Sequence, residues 1–320
     1  MNQTKRILIA YDGSACAEAA LDDLQRAGLP DDVEAVVMSV AELWLPPPPP
    51  SSLEIVEGAR EVEVPADLKR VYSKQSKWAQ NALDLAEKGS QRLRSVFPHW
   101  TVTSASACGT PSSEVLSKAD EWKADLVVAG SHGHSGLRRL MLGSVSQRIL
   151  TEAKCSVRVA RGRVDEPGLP VRILIGIDGS FASQSAVREV ATRNWPSGTE
   201  VRLLIVEDPL KPTFVGKLIP ALAEVVEESN REDRRWIEVE LAKCAAMLDR
   251  DHLKVSTGTR EGEPKRVLVE VAEEWRADCI FLGAIGFSNR LERFLIGSVS
   301  AAVATRAHCT VEAVRKFSQQ

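Results

Sequence analysis

The sequence contains itself twice, and this duplication constrains the fold more than any other feature. RILIAYDGSACAEAAL from Arg6 aligns without a gap with RILIGIDGSFASQSAV from Arg172, at an offset of 166. Farther on, GTPSSEVLSKADEWKADLVVAGSHG from Gly109 aligns with GEPKRVLVEVAEEWRADCIFLGAIG from Gly262 at an offset of 153, and LGSVS at 142 meets IGSVS at 296. The offset shortens because the middle of the first copy is longer. It then grows by one because the second copy has an extra residue in its glycine segment. A period of roughly 155 residues is a duplicated domain and not a solenoid repeat.

Within each copy, apolar strand-like runs alternate with longer amphipathic patterns. RILIA, VEAVVMSV, TVTSASA, DLVVA and SVRVA read as strands of the first copy; RILIGI, EVRLLIV, LKVSTG, CIFLG and TVEAV are their counterparts. Helical patterns follow from about Ser14, through KWAQNALDLAEKGSQRLRSVF, at SSEVLSKADEW and from Gly143. Buried strands alternating with helices argue for parallel sheets covered on both faces. The expected fold is α/β: two tandem doubly wound domains, each a five-stranded parallel sheet flanked by helices, with the strand order 3-2-1-4-5 assumed for the winding. The domains are expected at 1–161 and 172–320, joined by GRVDEPGLPV at 162–171, which holds two glycines and two prolines.

Composition narrows the partners. A formal charge of -3 offers no general attraction to nucleic acid or an anionic membrane, so any anion site must be local. The start, MNQTKRILIA, lacks the apolar core of a signal peptide, and no apolar run approaches a membrane span. The six cysteines make no metal-type spacing and read as reduced core thiols, so the expected location is cytoplasmic. Five prolines at 46–50 predict an extended stretch, read as an elongated connection or as a ligand for a proline-binding groove.

In an open α/β sheet, ligands bind beyond the carboxyl ends of the strands where the winding reverses, between strands one and four in this order. Asp12, in the DGS after strand one, and the segment GSHGHSGLRRLMLGS from Gly130 would then share one opening. Glycines here allow either a tight turn or the close approach of a phosphate. Gly143 and Ser144 open a helix whose unpaired N–H groups and dipole favour an anion, and Ser144 and Ser146 add hydroxyls. Arg138 and Arg139 lie between these halves. Asp12 could accept hydrogen bonds from a nucleoside or simply cap the next helix. Residues alone leave cradle and turn both open.

The spacing of Gly130, Gly133, Gly143 and Ser144, with DGS, GTP and GSVS in place, resembles the nucleotide motif of the universal stress protein family, in its ATP-binding branch. The resemblance covers nearly the whole chain as two fused copies. It implies ATP as ligand: the backbone near Ala10 and the side chain of Asp12 at the adenosine end, Val40 holding the adenine through its main chain. Gly130, Gly133, Gly143, Ser144 and Ser146 would hold the phosphates, with Mg²⁺ bridging them. In the second copy the counterparts are Asp178, Val206, Gly283, Gly286, Gly297, Ser298 and Ser300. There ten residues instead of nine separate Gly286 from Gly297, and Glu292 brings a negative charge, so a degenerate site is the alternative. The resemblance also implies an intramolecular pseudo-dimer paired through SVRVA and TVEAV, and leaves a further homodimer open.

Other candidates carry less. His132 and His134 lack a third ligand for a metal. Trp122 and Trp275 occupy equivalent helix ends and read as packing residues, and EVVEESNREDRRWIEVE reads as a solvated or partly interfacial helix. The expected function is an ATP-binding stress or regulatory protein without dedicated catalytic residues, weak ATP hydrolysis aside. The alternatives are an interaction scaffold with vestigial sites and an adenylating enzyme, for which the SGGxDS turn is missing.

Overall fold

Ile7, Leu8 and Ile9 are all fully buried, because successive side chains of this first strand point to opposite faces and both faces are covered. In the computed structural model of the chain, residues 4–42, 66–133, 142–161, 169–207, 220–249, 252–284 and 296–315 are described. The first half runs β1 (Lys5–Ala10), α1 (Ala15–Asp23), β2 (Val33–Glu42), α2 (Ala66–Val96), β3 (Thr101–Gly109), α3 (Pro111–Trp122), β4 (Leu126–Gly130), α4 (Ser144–Glu152) and β5 (Ser156–Ala160). The second repeats it with β6 (Arg172–Ile177), α5 (Phe181–Ala191), β7 (Thr199–Glu207), α6 (Pro220–Met247), β8 (Leu253–Glu261), α7 (Pro264–Glu274), β9 (Cys279–Gly283), α8 (Ser298–Arg306) and β10 (Thr310–Val314).

The ten strands form one sheet in the order β3-β2-β1-β4-β5-β10-β9-β6-β7-β8. Each half therefore has the expected 3-2-1-4-5 order. Every pairing within a half is parallel; β5 and β10 join the halves antiparallel, with Arg158 opposite Glu312. The termini of α2 and β2 extend farther into the proline-rich connection than the sequence suggests, since Glu42 is still strand and Ala66 already helix. The prolines at 46–50, the segment 162–168, His134, Arg138, Arg139, Gly286 and Glu292 lie outside the described residues.

Three buried clusters follow from the period-two alternation of the strands. Ile7 and Ile9 face the side covered by α1, and Ile173 and Ile175 the side covered by α5 and α6. Leu8 and Leu174 face the other side, where Val115 of α3, Ile149 of α4, Val271 of α7 and Val303 of α8 belong to a single core running through both halves. That shared core makes the joint between halves part of the interior. Trp122 and Trp275 pack against it, each with an arginine, Arg6 or Arg202, over its ring. All six cysteines are free thiols, and burial pushes Cys155 and Cys244 up to about 11 and Cys309 to about 12. No helix among the described residues is long and apolar enough to cross a membrane.

Candidate functional site

The carboxyl ends of β1 and β4 lie side by side, with Ala10 in register with Ala129. Two sequence-distant turns therefore meet. Asp12 Oδ1 accepts from Ser14 N at 3.0 Å, and the Ser14 hydroxyl lies 3.5 Å from the His132 carbonyl it donates to. A Cβ at Gly133 would stand 2.7 Å from Asp12 Oδ2, so the absence of a side chain there lets the carboxylate reach the loop. Val40 lies two residues beyond Met38, the partner of Ala10 in β2, which brings it level with Asp12. The strand order expected from the sequence requires this juxtaposition.

The glycines differ in what they do. At Gly130 a Cβ would lie 2.8 Å from the backbone of Cys16, and at Gly283 it would strike the backbone of Ala182 at 2.5 Å. Both are needed for α1 and α5 to cross the ends of β4 and β9 closely. Gly143 is different: its φ of -64 and ψ of 152 suit any residue, and a Cβ would meet Ser131 O at 3.4 Å, an ordinary contact. Nothing among the described residues requires glycine there.

Helix α4 starts at this residue without a side-chain cap, and α8 likewise starts at Gly297 without one. By contrast, Ser14 and Ser180 cap α1 and α5 by accepting from Ala17 N and Ser183 N. The uncapped first turns of α4 and α8 leave N–H donors and the positive end of the dipole for an anion. Ser144 and Ser298 are exposed at these turns. Ser146 and Ser300 serve the fold instead. Their buried hydroxyls donate to the carbonyls of Gly130 and Gly283 at 2.6 and 2.7 Å, fastening each helix to the end of its strand.

In the second half, Asp178, Val206, Gly283, Gly297, Ser298 and Ser300 line one cavity of about 470 Å³. This is within the range of small-molecule sites. Gly176, the counterpart of Ala10, lines it too, and so does Trp236 of α6. Trp236 is 46% exposed and lies against Gly179; in the first half Leu85 takes that place against Gly13. The sequence reads the α6 segment as solvated or partly interfacial and does not single out Trp236. The only signal was one tryptophan inside a dense run of charges.

Electrostatics at the first site favour a neutral ring beside a buried cation. His132 Nδ1 lies 3.1 Å from Ser131 Oγ, and burial, reinforced by Arg161, holds the imidazole below its usual value. Among the described residues no three His, Cys, Asp or Glu side chains group to hold a metal. A magnesium ion here would be carried by the phosphates it bridges.

Comparison with known proteins agrees with the duplication. The profile of the universal stress protein family matches residues 3–161 and again 171–315. A universal stress protein of Methanocaldococcus jannaschii is 34% identical over 145 residues, spanning 45% of this chain and 82% of that protein. One from Bacillus subtilis is 30% identical over 156 residues, 49% of this chain and 98% of its own length. The crystal structure of a universal stress protein from Archaeoglobus fulgidus matches 99% of this chain and 100% of that one, with a TM-score of 0.63 at 19% identity.

Proposed function

The chain belongs to the universal stress protein family, and from that premise we propose that it is an ATP-binding stress or regulatory protein with one nucleotide site in each domain. The observation that carries this reading is Gly143: a glycine that nothing among the described residues requires, opening a helix that no side chain among them caps. A phosphate approaching the main chain explains both facts. In the first domain the N–H groups of the first turn of α4 and the Ser144 hydroxyl bind the phosphates. Gly130, Gly133 and Ser146 shape the segment that carries them, and Asp12 and the backbone of Ala10 and Val40 meet the nucleoside. In the second, Gly297 and Ser298 receive the phosphates, and Asp178 and Val206 face the nucleoside within the cavity. Magnesium supplies charge neutralisation between the phosphates when bound.

No residue is assigned a catalytic role. ATP occupancy acts instead by stabilising the domain that holds it, in proportion to the logarithm of ligand concentration over Kd. Titration calorimetry with ATP on the full chain tests it: Gly143→Asp places a negative side chain where the phosphates sit and is expected to abolish binding at the first site while the protein stays folded. Undiminished binding by the folded variant overturns the assignment. A scaffold reading has one observation in its favour, that Gly130, Gly133 and Ser146 already have structural roles; absence of ATP, ADP and AMP binding to the parent chain would favour it.

A further inference from the structure

The joint between the halves places charged groups where an interior is otherwise apolar. Arg158 and Glu312 are opposite each other in β5 and β10 and almost wholly buried, at 1% and 0% exposure. They sit at equivalent positions of the two copies, related by the offset of 154 that aligns LGSVS with IGSVS. A residue on a pseudo-two-fold axis meets its own counterpart. Here duplication has left a cation facing an anion, with Arg158 Nη1 3.0 Å from Glu312 Oε2.

The surrounding groups extend the asymmetry. Arg158 Nε also pairs with Asp23 at 2.6 Å, and Asp23 accepts from the Thr310 hydroxyl of the other half at 2.7 Å. Arg193 pairs with Glu312 and Glu189, donates to the Ala27 carbonyl across the joint at 2.9 Å, and Lys5 reaches across to Glu189. Asp23 and Glu189 are equivalent acids, but the counterpart of Arg193 is Ala27 and that of Lys5 is Val171. Arg26 pairs with Asp278 across the joint as well, and the equivalent Arg161 and Arg315 each donate to carbonyls of the other half, so the ion-paired groups of the joint are four cations and four carboxylates. The counterpart of Arg26 is Thr192 and that of Asp278 is Asp125, so two first domains would bring six cations against four carboxylates, and two second domains six carboxylates against two cations. Burying unmatched charge is strongly unfavourable, whereas a balanced, hydrogen-bonded cluster is tolerated.

We propose that this surface is a heterotypic lock: the last-strand face of the first domain accepts only that of the second, and neither accepts its own kind. The charges add little net stability; their effect is to exclude the like-with-like pairings that a duplicated domain would otherwise allow. Every joint then unites one first domain with one second domain.

Amide hydrogen exchange on the full chain tests this, with β1 and β6 reporting whether each domain is folded and β5 and β10 reporting the joint. Glu312→Arg recreates the axis of two first domains, and Arg158→Glu that of two second domains. Both are expected to raise exchange in β5 and β10 by about a hundredfold or more while β1 and β6 keep parent rates. The double variant Arg158→Met with Glu312→Met, which removes both axis charges, is expected to stay within about tenfold of the parent. Exchange in Glu312→Arg within about threefold of the parent overturns the proposal. So does a methionine double variant as open as Glu312→Arg, because packing alone would then make the choice. If Glu312→Arg does not fold, Glu312→Gln carries the comparison: about tenfold faster exchange confined to β5 and β10 supports the lock, and parent rates there refute it.

Discussion

Gly143 and Gly130 stand at the two ends of the same segment, yet only one of them answers to packing. Replacing Gly130 by alanine forces a methyl against the Cys16 backbone and is expected to destabilise the protein by about 1–3 kcal/mol, read from urea denaturation. Gly143→Ala meets only ordinary contacts among the described residues, so its unfolding midpoint is expected to match the parent while ATP affinity falls about tenfold or more. Equal stability losses in the two variants would contradict the distinction. Sequence spacing alone brought these glycines out together, since each is a glycine in the right place; their different reasons needed coordinates. The meeting of Asp12 with Gly133 was legible because strand order dictates it. Trp236 was not, because its place on the cavity wall depends on how the long α6 lies over β7 and β8, which no local pattern encodes.

Helices α1 and α4 show the contrast at the next scale. Ser14 satisfies a first-turn donor of α1, so Ser14→Ala is expected to cost about 1 kcal/mol, measured by urea denaturation, without ATP recovering it specifically. Helix α4 has no such cap, and its starting turn is the element that ligand should stabilise most. The segment entering α4 also carries a pH dependence. Burial first, and Arg161 second, lower the His132 value from 6.5, so the fold favours the neutral ring. That contribution is complete above about 6.5, the unfolded value, and is lost as pH falls from there through the lower folded value. His132→Gln should flatten the fall in stability over that window; an unchanged slope in urea midpoints would contradict it. Strands and most helices were legible from period, whereas the start of α2 at Ala66 was masked by neighbouring prolines, although a proline just ahead of a helix is itself a start signal.

At the scale of the molecule, two copies of one fold share a ten-stranded sheet, and one face of core runs through both. The duplication and the alternation of strands with helices were plain in the sequence, whereas the winding order was an assumption that the sheet bears out. The antiparallel joint came only from family resemblance, because residue pattern does not say which edges meet. A charge in the centre of each of the apolar strands SVRVA and TVEAV was the sign that those strands face something matched. Joined this way, the domains carry sites of the same plan but different walls, Leu85 against Gly13 in one and Trp236 against Gly179 in the other. If the glycine-opened helices of both domains hold ATP, native mass spectrometry of the full chain with excess ATP should find two nucleotides on the parent. It should find one on each of the folded variants Gly143→Asp and Gly297→Asp. A parent chain that carries none, or variants that still carry two, would contradict ATP binding at these helices.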